Sequence, residues 1–91
     1  MDVEFDAAKD QANIAKHGVS LALASALDFG TALIFEDDRF AYDEVRWVAI
    51  GFIEDRLFSL VFVDVDDDII RAISLRTASR REALFYARET R

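Results

Sequence analysis

VRWVAIGFIEDRLFSLVFVDVDDDIIRAISLR, residues 45–76, decides the fold. Val45–Ile53 and Leu57–Val65 are apolar on both faces, as central strands are. Glu54, Asp55 and Arg56 make the first turn, and Asp66, Asp67 and Asp68 make the second. Ile69–Arg76 is the closing strand. Strands joined by turns this short can only run back and forth, which predicts an antiparallel meander. In the closing strand, strict alternation sends Ile69, Arg71, Ile73 and Leu75 one way and Ile70, Ala72, Ser74 and Arg76 the other. The first, oilier set is expected to meet the helices.

Downstream, Ser79–Glu82 has the S-x-x-E spacing of a capping box, opening a helix that runs through Thr90. Leu84, Phe85 and Ala87 would form its buried side. Upstream, Thr31–Phe35 (TALIF) is a fourth short strand, followed by an acidic, exposed loop, EDDRFAYDE. Before that strand, Ser20 caps LALASALDF, with Leu23, Ala24 and Leu27 on one side and Gly30 at its end. Asp6 caps an earlier helix that stops at Gly18, where a left-handed closing residue fits. In that helix Ala8, Ala12, Ala15 and Ile14 make a slim packing face, and Lys16 and His17 complement the helix dipole. Val3–Phe5 reads as an edge strand. The class is α+β: an antiparallel sheet with two N-terminal helices and one C-terminal helix, packed largely on one face so that the other stays open.

Ninety-one residues form one domain, 1–91, and 53% hydrophobic content supports a real core. With no Cys, neither a disulfide nor a thiolate metal ligand is available. The start, MDVEFDAAKD, lacks a signal peptide's basic and apolar regions, and no apolar run reaches the ~20 residues of a membrane span. A cytoplasmic protein is expected.

Charge is segregated. Arg71–Arg91 holds six basic and two acidic side chains, a local +4, whereas the other seventy residues carry −11 and the whole chain −7. One reading is a solvated, salt-bridged helix face. Another is an anion site, for RNA phosphate above all, on an acidic body. The capping box places Arg80 and Arg81 in the first helical turn, where cations oppose the dipole by roughly 0.3–1 kcal/mol each. With Arg76 just upstream, three guanidiniums crowd a helix N-terminus that already favours an anion. His17, the only histidine, is a general acid or base, or simply a residue placed by the dipole. Tyr86 is a proton donor or a base-stacking ring, or a ring packed with its hydroxyl exposed. Trp47 belongs to the core. Asp66–Asp68 lacks calcium-loop spacing. No phosphate-binding glycine loop, nucleophile elbow or zinc-ligand set is present, so neither metal nor cofactor is expected.

Two stretches taken together resemble a known family. FDAAKDQANIAKHGVSL is similar to that family's aromatic-Asp, Lys, Asn and Lys-His-Gly-Val-Ser pattern. RAISLRTASRREALFYA resembles its Arg-x-Ile-Ser-x-Arg-x-Ala-x-x-Arg-Glu-x-x-x-Tyr, with ALIFEDD and EVRWVAIG between them in matching order. The family is the BrnT toxins, the ribonuclease half of type II toxin–antitoxin modules. This chain departs from it at Phe5-Asp6-Ala7, where the family often has Trp-Asp-Pro, and at Leu21, where it often has Phe. The resemblance implies a RelE-like fold, metal-independent RNA cleavage without cofactor, inhibition of translation, and neutralisation by a BrnA-type antitoxin, with either a homo-oligomer or a toxin–antitoxin hetero-oligomer as the assembly. Carried onto this chain, it marks Lys16, His17, Arg71, Ser74, Arg76, Arg80, Glu82 and Tyr86. Arg76, Arg80, Tyr86 and His17 then form the expected catalytic set, and Lys16, Arg71, Ser74 and Arg81 the RNA-binding set. The competing class is a non-catalytic module whose arginines dock an acidic partner.

Overall fold

The computed structural model describes residues 1–91. Its elements are β1 (Asp2–Glu4), α1 (Ala7–His17), a 3₁₀ segment (Leu21–Ala26), β2 (Leu33–Glu36), β3 (Trp47–Ile53), β4 (Arg56–Asp66), β5 (Ile69–Thr77) and α2 (Arg80–Glu89). The meander is present: β2, β3, β4 and β5 pair in sequence, each antiparallel to the next. The sheet is nevertheless mixed rather than antiparallel, because β1 joins the outer side of β5 in parallel. A three-residue strand carries no signal of its direction, and the chain between β1 and β5 is long enough to allow either.

The second N-terminal helix is also a correction. Leu21, Ala24 and Leu27 are buried, whereas Leu23 is exposed. Their spacing is three residues rather than 3.6, and three is the period at which 3₁₀ side chains eclipse. This stripe packs on Ala49, Leu60, Phe62, Ile70, Ala72 and Leu75, which form one face of the sheet.

Strict alternation fails in β5. Val61 pairs with Ser74 but Phe62 pairs with Ala72, so Ile73 is the extra residue of a bulge. The bulge rephases the strand. Ile70, Ala72 and Leu75 therefore share the core face, while Arg71, Ser74 and Arg76 share the other with Val63, Val61 and Ser59. The expected division, with Arg71 and Arg76 on opposite faces, is overturned.

The helices also divide. The 3₁₀ segment lies on the core face, but α2 lies on the opposite one. Phe85 meets Phe35 edge-on at 5.9 Å, and Tyr86 meets Phe52 at 5.7 Å. Ile50 and Ser59 on that face are buried. The face expected to be open is thus partly covered. The capping box forms as expected, with Ser79 and Glu82 each accepting from the other's backbone amide.

On α1, the apolar face predicted from Ala8, Ala12, Ala15 and Ile14 points to solvent, and Asn13 is the buried residue. A helix whose alanines offer little area gains more from hydrogen bonds than from packing. The Asn13 carboxamide accepts from the Leu75 amide at 3.1 Å and donates to the Leu75 carbonyl at 2.9 Å. It also donates to the Val19 carbonyl at 2.9 Å. Where β1 ends at Glu4, opposite Arg71, one side chain thus continues the pairing along the edge of β5. Asp10, one turn earlier, accepts from the Ser20 hydroxyl and the Leu21 amide, tying α1 to the 3₁₀ segment. No helix is long and apolar enough to cross a membrane.

Asn13→Leu should destabilise the fold by about 2–4 kcal/mol, since it strands two buried backbone groups of Leu75. Asn13→Asp should cost comparably, by setting a carboxylate against two carbonyl oxygens. Urea unfolding of the two variants beside wild type measures both.

Candidate functional site

Asn13 also sets the position of His17, one helical turn further along α1. His17, Lys16 and Lys9 border a shallow depression of about 200 Å³ against Ile73 and Ser74 of β5. Burial lowers the His17 pKa below its ordinary value, and the charges of Lys16 and Arg76 push it the same way. The imidazole is therefore neutral at pH 7 and free to accept a proton.

Arg76 follows Ser74 on the same face. Its guanidinium donates to both carboxylate oxygens of Glu82, at 2.6 and 2.9 Å, and to the Thr77 carbonyl at 3.3 Å. Burial favours the neutral form of Glu82. Bonds from Arg76 and from the Ser79 amide outweigh it and hold the carboxyl at about 2. Glu82 is thus a fixed anion, too weak a base for proton abstraction at neutral pH, and it doubles as capping residue and arginine partner. Of the two readings of the arginine-rich end, Arg76 follows the salt-bridged one: its guanidinium is braced by a carboxylate of its own chain.

Opposite Arg76 stands an arginine the sequence reading passed over. Arg39 donates through Nε and Nη2 to Asp37 at 2.7 and 2.9 Å, and the Tyr42 hydroxyl donates to the same carboxylate at 3.1 Å. The bonds from Arg39 hold the Asp37 carboxyl at about 2 against the cost of burial. Its side chain is only 1% exposed, whereas that of Arg39 is 62% exposed. Arg39, Arg76 and Glu82 border one groove of about 220 Å³, floored by Val48, Ser59 and Val61. The two cations lie close enough for Arg39 to disfavour the charge on Arg76. The signal was Asp-x-Arg-x-x-Tyr at 37–42, hidden in a loop that reads as exposed acid.

The other expected site residues are dispersed. Arg71 shares the face of Arg76 but lies near β1, 3.5 Å from Glu4. Arg80 and Arg81 do open α2, and they border a separate groove of about 800 Å³ with Phe35, Ile50, Leu84 and Phe85. Tyr86 donates its hydroxyl to the Thr31 carbonyl at 2.8 Å. That contact lies on the β2 side of the sheet, three strands from β5 and thus on the order of 14 Å away. The fold therefore sets His17, Lys16 and Ser74 around one depression at the edge of β5 and Arg76, Glu82 and Arg39 around a separate groove, leaves Arg80 and Arg81 beside that groove, and holds Arg71 and Tyr86 apart. No three His, Asp or Glu side chains stand together as a metal-holding group.

A base beside a strand edge, with two braced guanidiniums across a narrow groove, suits a substrate carrying a proton to lose and a phosphate to hold. Comparison with known proteins points the same way. The sequence model of a family described as "Ribonuclease toxin, BrnT, of type II toxin-antitoxin system" matches residues 5–82. The 1.1 Å crystal structure of the Brucella abortus ribonuclease toxin BrnT is similar to this chain, with a TM-score of 0.68 and 30% identity. The match covers 88% of this chain and 99% of that one. No curated protein matches.

Asp37 and Glu82 titrate near 2 when folded, against ordinary values of 3.8 and 4.5. Depressed carboxylates stabilise the fold above their unfolded pKa and lose that contribution as pH falls toward the folded one. Unfolding free energy should hold level above about pH 5 and drain away between about pH 5 and 2. Glu82→Gln should be less stable at pH 7 and show a shallower loss over that window.

Proposed function

Since the chain belongs to the BrnT family of type II toxin–antitoxin ribonucleases, we propose that the groove between Arg39 and Arg76 receives the scissile phosphate of RNA, with His17 at its edge as the base. The observation that carries this reading is that His17 borders Ile73 and Ser74 at the β5 bulge while Arg76 follows two residues on along the same strand, inside the family-matched stretch. RNA supplies its own nucleophile. His17 would take the proton of the 2′-hydroxyl, and the 2′-oxygen would attack phosphorus. Arg76, Arg39 and Arg80 would carry the charge that builds on the phosphorane. The imidazolium, or water in exchange with it, would protonate the departing 5′-oxygen. Lys16, Ser74, Arg71 and Arg81 would bind the flanking RNA. Each step uses side chains alone, so the reaction is proposed to run without metal.

Tyr86 enters this reading as a clamp holding α2 on the sheet. Its hydroxyl is already committed to Thr31. Glu82 braces Arg76, so that the guanidinium meets the phosphate with little reorganisation. We further propose a RelE-like assignment of the fold, action in the cytoplasm, and neutralisation by a BrnA-type antitoxin whose own DNA-binding domain represses the operon. The same Arg76–Glu82 pairing also fits a non-catalytic docking module, and the first experiment below separates the two.

Purified protein incubated with total RNA and EDTA should cleave it and leave 2′,3′-cyclic phosphate ends. Arg76→Lys, which keeps the charge but loses the fork, should lower the rate by about 10²–10³. No cleavage by the wild type favours the docking module. His17→Gln should do as much damage, and because the His17 pKa lies below its ordinary value, the acid limb of the wild-type pH–rate profile should lie below that of a free imidazole. Growth arrest by Arg76→Ala and Arg80→Ala at wild-type expression would rule out these arginine roles.

A further inference from the structure

The largest concavity of the protein is the groove along α2, about 800 Å³, and the reaction proposed above uses only its Arg80–Glu82 end. Its floor is apolar: Phe35, Ile50, Leu84 and Phe85. Leu84 sits in the middle of an amphipathic helix yet is 63% exposed, and Phe35 is also exposed. Arg80, Arg81, Arg88 and Arg91 ring that floor. Only Arg88 among these four has a carboxylate within 4 Å, Glu89 at 3.6 Å, and the one carboxylate in the lining, Glu82, is committed to Arg76. An oily trough edged by cations is unusual on a chain of net charge −7, and it is the complement of an amphipathic segment with acidic flanks.

RNA fits this trough poorly. Leucine offers a phosphate backbone nothing, and the rings that would stack on bases are engaged. Phe35 and Phe85 meet edge to face, and the Arg88 guanidinium lies 5.6 Å from the centre of the Phe85 ring.

We infer that this groove is the docking site for an acidic, amphipathic segment of the antitoxin, its apolar side chains on Leu84 and Phe35 and its carboxylates on the surrounding arginines. The inference rests on the toxin reading, since it takes the antitoxin as occupant. It also accounts for neutralisation. A segment lying in the groove covers Arg80 and brings carboxylates beside the phosphate site, so that antitoxin and RNA compete without touching His17.

The test uses the full-length toxin and the full-length antitoxin encoded beside it. Leu84→Glu and Arg88→Glu alter exposed side chains outside the cleavage site, and Leu23→Glu on the 3₁₀ segment serves as control. Titration should show antitoxin binding at least tenfold weaker for Leu84→Glu and Arg88→Glu and unchanged for Leu23→Glu. Both groove variants should still cleave RNA at the wild-type rate and should resist inhibition. Binding within twofold of wild type for both would overturn the inference. So would a loss of affinity for uncleavable RNA with antitoxin binding intact, which would make the groove an RNA surface. Self-association of the free toxin, abolished by Leu84→Glu with antitoxin binding intact, would assign the groove to a second copy and overturn it too. If antitoxin binding weakens as expected while wild-type toxin cleaves no RNA, the docking site stands and the nuclease reading falls.

Discussion

The paired hydrogen bonds between the Asn13 carboxamide and the backbone of Leu75 hold the arrangement together. β5 has β4 along one edge, but on the other β1 reaches only as far as Arg71. Without a partner beyond that point, the backbone groups of Leu75, a fully buried residue, would lie unsatisfied, which proteins rarely tolerate. Asn13 closes the gap and in doing so brings α1 against the sheet edge. The only histidine of the chain then lies beside the strand that carries Arg76. Stability and site assembly share one contact.

Around it, charge is managed by pairing rather than by neutrality. Arg76 leans on Glu82, and Arg39 leans on Asp37, with the carboxylate in each pair more buried than its cation. The anions are the fixed elements, and the guanidiniums are displayed from them. Such bracing costs some positive potential in the groove. It gives orientation in exchange, which matters more where a phosphate must be met in one geometry.

Much of this was legible in the residues. The meander follows from apolar runs separated by acidic turns, and both Gly18 and the Ser79–Glu82 box behave as their spacing dictates. What the chain concealed was of three kinds. The parallel placement of β1 depends on where the sheet edge lies, which three residues cannot encode. The side of the sheet taken by α2 is decided by Phe35 and Phe52, aromatic residues in strands whose two faces are almost equally apolar. The role of Asn13 runs against the rule that hydrophobic residues mark the packed side of a helix. Its polar contact has no periodic signature, and the alanines that do have one face water. Arg39 was missed for a related reason: its partner Asp37 lies in a run of acids that resembles a solvated loop, and nothing in a single sequence says which of them is buried.

The bulge at Ile73 gives the strand an unusual kind of robustness. Before and after it, odd- and even-numbered residues exchange sides, so that Arg71 and Arg76 agree in direction although their positions differ in parity. Replacing a side chain anywhere on β5 leaves that agreement untouched. Losing or gaining one backbone unit between the two arginines inverts it, sending one of them into the oily interior. The facing of this stretch is thus indifferent to exchange of residue types but not to its count of residues.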